Sequence, residues 1–274
     1  MDEAIDFRRS AALPGVEVLN ARNTEREWRW FNTAYSIAVP TTWIGGVHYR
    51  GRYMGTTPGM VFCSAPGEIH VTQSGQRGTF HVLLFETEVF QSMAREAGAT
   101  AEVTWGQIVG EPPAALRRLA LALVNGIGET DDFAQQSLFT ELFSGLAADL
   151  LESPIPRAKP TDRRRAARIR EALHGGTGKM DLPRLTAETG LDRFQLLRTF
   201  KRAYGITPQA YQLCLRVGRA RELLKDGVPP SAVAADCGFA DQSHLGRHFK
   251  RLVGVTPGQY RMEPGPAVLS RRDP

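Results

Sequence analysis

The sequence predicts a two-domain α+β chain. Its N-terminal part reads as an antiparallel β-barrel followed by helices, and its C-terminal part as all-helical, with two helix-turn-helix units joined by a linker helix. Three observations predict this. Short β-forming runs broken by Gly and Pro fill residues from about 34 to 86, helical spacing takes over beyond about 112, and one long segment then occurs twice. A length of 274 residues suits two cores better than one.

The barrel comes first. "YSIAV", "TWIGGVHY", "RYMGT", "MVFCSA" and "TFHVLLFE" are short and rich in β-branched and aromatic residues. Gly or Pro punctuates them at Gly51, Pro58-Gly59, Pro66-Gly67 and Gly75. Several short strands at this spacing indicate a barrel or sandwich. Two amphipathic helices follow within about 112–151. Leu116, Leu119, Leu123 and Ile127 recur at steps of three and four, as do Leu138, Leu142, Leu146 and Leu150 behind Asp131 as N-cap. Phe133, Phe139 and Phe143 exceed one narrow stripe, so a second subunit is expected to cover part of that surplus. Residues 1–152 are therefore read as one domain.

"ESPIPRAKPT" (Glu152 to Thr161) carries three prolines. Proline removes a donor and disfavours helix at the residue before it, so 153–161 is read as a linker. The charge changes sign at the same place. Residues 1–156 hold 11 Lys/Arg against 18 Asp/Glu, a net of −7, whereas residues 157–274 hold 23 against 11, a net of +12. That asymmetry points to a polyanion as partner of the domain at 162–274. No apolar run is long enough to span a membrane, and "MDEAIDFRRS" lacks the apolar core of a secretion signal. Three scattered cysteines, Cys63, Cys214 and Cys237, suit a reducing cytoplasm and neither a disulfide framework nor a metal knuckle.

The repeat carries most of the functional information. Leu185 to Tyr211 matches Val233 to Tyr260, with Gly190 on Gly238 and, after one extra residue in the second copy, Leu196 on Leu245. Arg198, Phe200-Lys201-Arg202, Gly205, Thr207-Pro208 and Tyr211 then fall on Arg247, Phe249-Lys250-Arg251, Gly254, Thr256-Pro257 and Tyr260. Each copy reads as a short helix stopped by a glycine, an apolar anchor (Leu191 or Phe239), an aspartate cap (Asp192 or Asp241) and a second helix. Helix-turn-helix units are expected at 182–203 and 230–252, with order to about 262.

At about 100° per residue the faces of the second helices separate. Leu245, Phe249 and Leu252 make one buried stripe, leaving Ser243 and Arg247 opposite, flanked by Lys250, His244 and Arg251. In the first copy Leu196, Phe200 and Ala203 face inward, while Phe194 and Arg198 point out beside Lys201, Arg202 and Leu197. A Phe beside arginines is costly on a solvated face but useful against a thymine methyl. Thr207 to about Asp226 reads as one helix of about 30 Å, near the ~34 Å repeat of B-DNA. One chain can thus present two helices to successive major-groove segments of double-stranded DNA. RNA fits poorly, because the A-form major groove is too narrow.

These residues, from Asp162 to Arg261, resemble the AraC/XylS family of bacterial transcription regulators, and "GFADQSHLGRHFKRLVGVTPGQYR" lies close to the family signature. The resemblance implies base or phosphate contacts by Gln242, Ser243, His244 and Arg247, and by Arg193, Phe194, Leu197 and Arg198 in the first unit. Lys201 and Lys250 are assigned to phosphate, and Arg198 and Arg247 to guanine, whose O6 and N7 a guanidinium can engage together. Leu197 stands where many relatives have a polar residue. RNA polymerase is a partner by the same resemblance, and activation the expected sign of control.

The N-terminal half resembles that family's cupin-like effector-binding and dimerisation domain, through the layout of "RGRYMGTTPGMVFCSAPGEIHV". An unknown small-molecule effector is expected there, contacted by Trp43, His48, Tyr49, Arg50, His70, His81 and Phe85, which combine aromatic walls with polar tips. Metal-binding cupins carry a His-x-His pair. This chain offers single histidines, so no metal, cofactor or catalytic residue is expected, and Cys214 and Cys237 read as buried structural thiols. The competing readings are a cupin-type metal-dependent enzyme domain fused to a DNA-binding domain, and a regulator without a small-molecule effector.

Overall fold

The computed structural model describes residues 2–50, 52–96, 109–127, 129–152, 160–174, 182–204 and 206–262. Among them the strands are β1 (Ala4–Arg9), β2 (Val16–Thr24), β3 (Trp28–Phe31), β4 (Tyr35–Pro40), β5 (Gly45–Tyr49), β6 (Arg52–Thr56), β7 (Val61–Ser64), β8 (Ile69–Ser74), β9 (Gly78–Phe85) and β10 (Val109–Gly110). All pair antiparallel, in a six-stranded sheet ordered β1-β2-β9-β4-β7-β10 and a four-stranded sheet ordered β3-β8-β5-β6. The strands begin at Ala4, well ahead of the expected residue 34. "AIDFRR" and "VEVLNARNT" hid them, because charged and amide side chains alternate with or replace the apolar ones. Those polar groups turn out to be paired: Asp6 meets Asn20, Arg8 and Arg22, and Glu17 meets Arg9.

Three helices cover the outer face of the larger sheet: α1 (Thr87–Glu96), α2 (Ala114–Gly126) and α3 (Asp132–Glu152). Asp131 caps α3 through the Ala134 N–H at 2.9 Å. Leu116, Leu123, Leu142 and Leu146 are buried there with Leu83, Phe85 and Phe90. Phe139 and Phe143 belong to the same core, 6.0 and 6.4 Å from Phe85 between ring centroids. Of the three surplus aromatics, Phe139 and Phe143 are thus covered within the chain, whereas Phe133 is 79% exposed. The side chain of Leu150, and residues 153–159 of the expected linker, lie outside the described residues.

The remaining helices are α4 (Pro160–His174), α5 (Leu182–Thr189), α6 (Arg193–Tyr204), α7 (Pro208–Lys225), α8 (Pro230–Asp236), α9 (Gln242–Val253) and α10 (Pro257–Met262). Local chemistry dictates their ends. Asp192 accepts from the Gln195 N–H at 2.8 Å and Asp241 from the His244 N–H at 2.6 Å. Thr207 accepts from Ala210 at 3.2 Å, with Pro208 opening α7 behind it. Gly190 and Gly238 take φ of 66° and 69°, the left-handed turn that a Cβ opposes. Gly205 lies outside the described residues.

The two halves share one core. Phe7, Leu19, Trp28, Trp30, Ile69 and Val71 of the barrel pack in the same buried cluster as Phe200, Tyr211, Val217, Leu245, Phe249 and Tyr260. Helix α7 lies on β3, and so does α9. At the centre of this junction the Glu17 carboxylate accepts from Arg9 at 2.8 Å, Arg221 at 3.2 Å and the Tyr260 hydroxyl at 3.1 Å. Arg221 also lies 4.2 Å above the Trp30 ring, and Arg9 lies 4.7 Å above that of Tyr260. Further out, Lys225 pairs with Glu86, Thr33 donates to Glu222 at 2.7 Å, and Arg26 donates to the Lys250 carbonyl at 3.2 Å.

Candidate nucleic-acid interface and barrel cavity

Helices α6 and α9 are the second helices of the repeated units, and α7 touches both. The 18 residues of α7 span about 27 Å. On α6, Leu196 and Phe200 are fully buried, whereas Arg193, Phe194, Arg198, Lys201 and Arg202 are exposed and Leu197 is half-buried. Phe194 is 80% exposed, the largest exposure of any big apolar side chain among the described residues. On α9, Leu245, Phe249 and Leu252 are buried, and Gln242, Ser243, Arg247, Lys250 and Arg251 are exposed. The C-terminal end of α9 faces the barrel, since Gly254 closes it against Ile5. Its open face is therefore the N-terminal one.

His244 is not a free tip. Its Nδ1 accepts from the Ala240 N–H at 3.2 Å, and its Nε2 lies 2.9 Å from that of His248. His248 in turn lies 3.0 Å from Arg251, and burial together with Arg251 lowers its pKa. A positioning contact that sequence reasoning missed is Arg216. From α7 it donates to the Cys237 carbonyl at 2.7 Å and to that of Gly238, with its guanidinium 4.1 Å over Phe239. It thereby ties the linker helix to the turn that aims α9. Cys214 is buried and its pKa is pushed up to about 12 by desolvation, while that of Cys237 is raised for the same reason, so both stay thiols.

Inside the barrel, a cavity of about 50 Å³ is lined by residues of both sheets, among them Trp28, Trp30, Trp43, Thr56, His70 and Phe80. Of the residues expected at an effector pocket, Trp43 and His70 line it. Tyr49 packs nearby on Phe62, 5.4 Å between centroids, with its hydroxyl given to Glu68. The other four do not line it. Side chains alternate along a strand, so the neighbours Phe80 and Val82 point inward, and His81 and Phe85 point out. His81 bonds Asn20 at 2.8 Å, and Phe85 lies under α3. His48 likewise faces away from its neighbour Val47, and Arg50, beyond the end of β5, pairs with Glu68 at 2.9 Å. Trp28 and Trp30, the wall that sequence reasoning missed, were legible in the alternation of "WRWF". Burial pushes the His70 pKa down to about 3, so this ring is neutral near pH 7. Among the described residues no group of three His, Cys, Asp or Glu is placed to hold a metal ion, and no helix is long and apolar enough to cross a membrane.

A helix-turn-helix domain family matches residues 185–263. The regulator MtrA of Neisseria gonorrhoeae is 34% identical over 106 residues, covering 38% of this chain and 35% of its own. The transcriptional activator RhaS of Escherichia fergusonii is 42% identical over 78 residues, covering 26% and 27%. The matched region thus spans about a third or less of these curated relatives. Among solved structures, an apo point variant of ToxT from Vibrio cholerae superposes with a TM-score of 0.56 at 12% identity, covering 93% of this chain and 99% of that one. Wild-type ToxT with an unsaturated fatty acid bound gives 0.52 at 14%, covering 96% and 97%. At such identity the likeness concerns the fold: an N-terminal domain of antiparallel sheets and a helical C-terminal domain. The C-terminal domain is thus a helix-turn-helix domain similar to those of AraC-type transcription regulators, carried on this two-domain fold.

Proposed function

We propose that this protein is a sequence-specific DNA-binding transcription regulator, an activator controlled by a small molecule held in its barrel. The observation that carries the reading is the pair of capped, basic helices α6 and α9 attached to one linker helix, each with a buried apolar stripe behind exposed Arg and Lys. Arg198 and Arg247 are the readers of guanine. Arg193, Phe194, Leu197, Gln242 and Ser243 supply the other base-edge contacts, and Lys201 and Lys250 hold phosphate. His244 acts from within its pairing with His248. The domain units are 1–152 and 162–274, with RNA polymerase as the partner at the promoter. A dimer would use the N-terminal helices, where Phe133 is, among the described residues, the large apolar side chain left uncovered.

Control follows from Trp30. Trp30 lines the cavity, and Arg221 of α7 lies 4.2 Å over its ring. A ligand that moves Trp30 therefore acts on the contact between barrel and linker helix. A molecule that favours one arrangement of the domains shifts the DNA-bound population only by its differential affinity for the two.

The test is Arg247→Ala on the operator, selected from genomic fragments that the full chain retains. The expected loss is about 1–3 kcal/mol at one base pair, with relaxed preference there. Equal loss on operator and random DNA would assign Arg247 to phosphate, and failure of the parental chain to prefer any sequence would remove the regulator reading.

A further inference from the structure

The polar atoms around the barrel cavity are few, and some of them are already committed. Ser36 shares a hydrogen bond of 2.5 Å with Ser64. The Thr72 hydroxyl accepts from the Trp28 backbone at 3.2 Å, and His70 lies 3.4 Å from the Asn32 amide. Three remain. The indole nitrogens of Trp28 and Trp43 and the hydroxyl of Thr56 are fully buried and have no hydrogen-bond partner among the described residues. All three side chains line the cavity, and they are 2%, 3% and 1% exposed.

Among the described residues no Arg, Lys, Asp or Glu lines the cavity. The nearby cation Arg221 lies over Trp30 and is engaged by Glu17. An ion placed in the cavity would lose its hydration without gaining a counter-charge, which costs far more than a hydrogen bond returns. A polyol fares little better, since Leu19, Ala38, Val47, Phe62 and Val82 offer its hydroxyls nothing. Two N–H donors fixed in an aromatic wall match acceptor oxygens instead, because a buried donor without a partner is destabilising until an acceptor arrives. The volume of about 50 Å³ is a few times the ~10–15 Å³ that one water needs, which restricts the occupant to a short chain or small ring.

We propose that the barrel cavity binds a compact uncharged molecule with an apolar body and one or two acceptor oxygens, of the ketone, ester or lactone class. Trp28, Trp43 and Thr56 supply its hydrogen bonds. The proposal rests on the effector-controlled reading above and names the chemistry of the effector.

Cyclopentanone, cyclopentane, butyrate and erythritol serve as probes on the full chain, followed by tryptophan fluorescence and thermal shift. Cyclopentanone is expected to bind most tightly of the four. Trp43→Phe and Thr56→Val should each weaken it about two- to tenfold while leaving cyclopentane nearly unchanged. Thr56→Val is close to isosteric and keeps the test open if Trp43→Phe does not fold. Tighter binding of butyrate or erythritol, no binding of cyclopentanone, or unaltered affinity in folded variants would overturn the proposal. Operator binding is measured in parallel by mobility shift. If it persists while the cavity test fails, only the ligand class falls; if no sequence preference is found, the regulator reading falls whatever the cavity takes.

Discussion

Glu17→Gln removes the single carboxylate at the centre of the domain junction and keeps its size. Glu17 is 5% exposed and is contacted by Arg9, Arg221 and the Tyr260 hydroxyl, two of them from the C-terminal domain. The Arg221 side chain is 4% exposed, and its Nε and Nη1 have no hydrogen-bond partner among the described residues. With the carboxylate gone, the buried Arg221 loses the partner of its ion pair. Breaking a buried pair by removing one partner costs about 3–5 kcal/mol. At a urea slope of about 3 kcal/mol per M, this moves the unfolding midpoint down by about 1–2 M. The assay is urea unfolding followed by tryptophan fluorescence, since Trp30 lies against Arg221. Adding Arg221→Met should recover a good part of the loss, because the buried cation that paired with Glu17 is then gone. A midpoint within about 0.3 M of the parental one, which is about 1 kcal/mol, would refute the assignment of the junction's stability to this cluster.

Two further tests probe the junction and the cavity. Gly254→Ala should cost more than Gly190→Ala in unfolding free energy. Both glycines have positive φ, 98° and 66°, worth about 1–2 kcal/mol to an alanine, but only at Gly254 would the new Cβ meet Ile5, at 2.6 Å. Equal losses would mean that Ile5 yields freely. For His70, burial lowers the folded pKa to about 3 against about 6.5 unfolded, so the unfolded chain binds the extra proton between these values. The stability that this neutral ring preserves is complete above pH 6.5 and declines by about 1.4 kcal/mol per pH unit on acidification toward pH 3. His48, His81 and His174 shift the same way and are present in both proteins. His70→Gln should therefore flatten the slope of stability against pH in that window, and an unchanged slope would count against a buried neutral His70.

The helical units were legible because their signals are local. Asp192, Asp241, Thr207 and the two left-handed glycines each act within a few residues of themselves, and the repeat showed the same devices twice. The barrel was legible only where its strands are apolar. β1 and β2 were missed because their polar residues are satisfied by partners distant in the chain, such as Arg221 for Glu17. In the cavity the error was one of phase. A shift of one residue along β9 exchanges His81 for Phe80, and nothing in "TFHVLLFE" states which side is inside.

By itself the sequence determined where the helices of the repeated units begin and end, which of their faces is basic and that the two units are joined by one helix, because caps, turns and periodicity are short-range physics. Only the tertiary structure decided what the barrel encloses and how it meets the helical half. Both depend on groups brought together from distant parts of the chain: three indoles around one cavity, and a carboxylate on β2 held between arginines of β1 and α7.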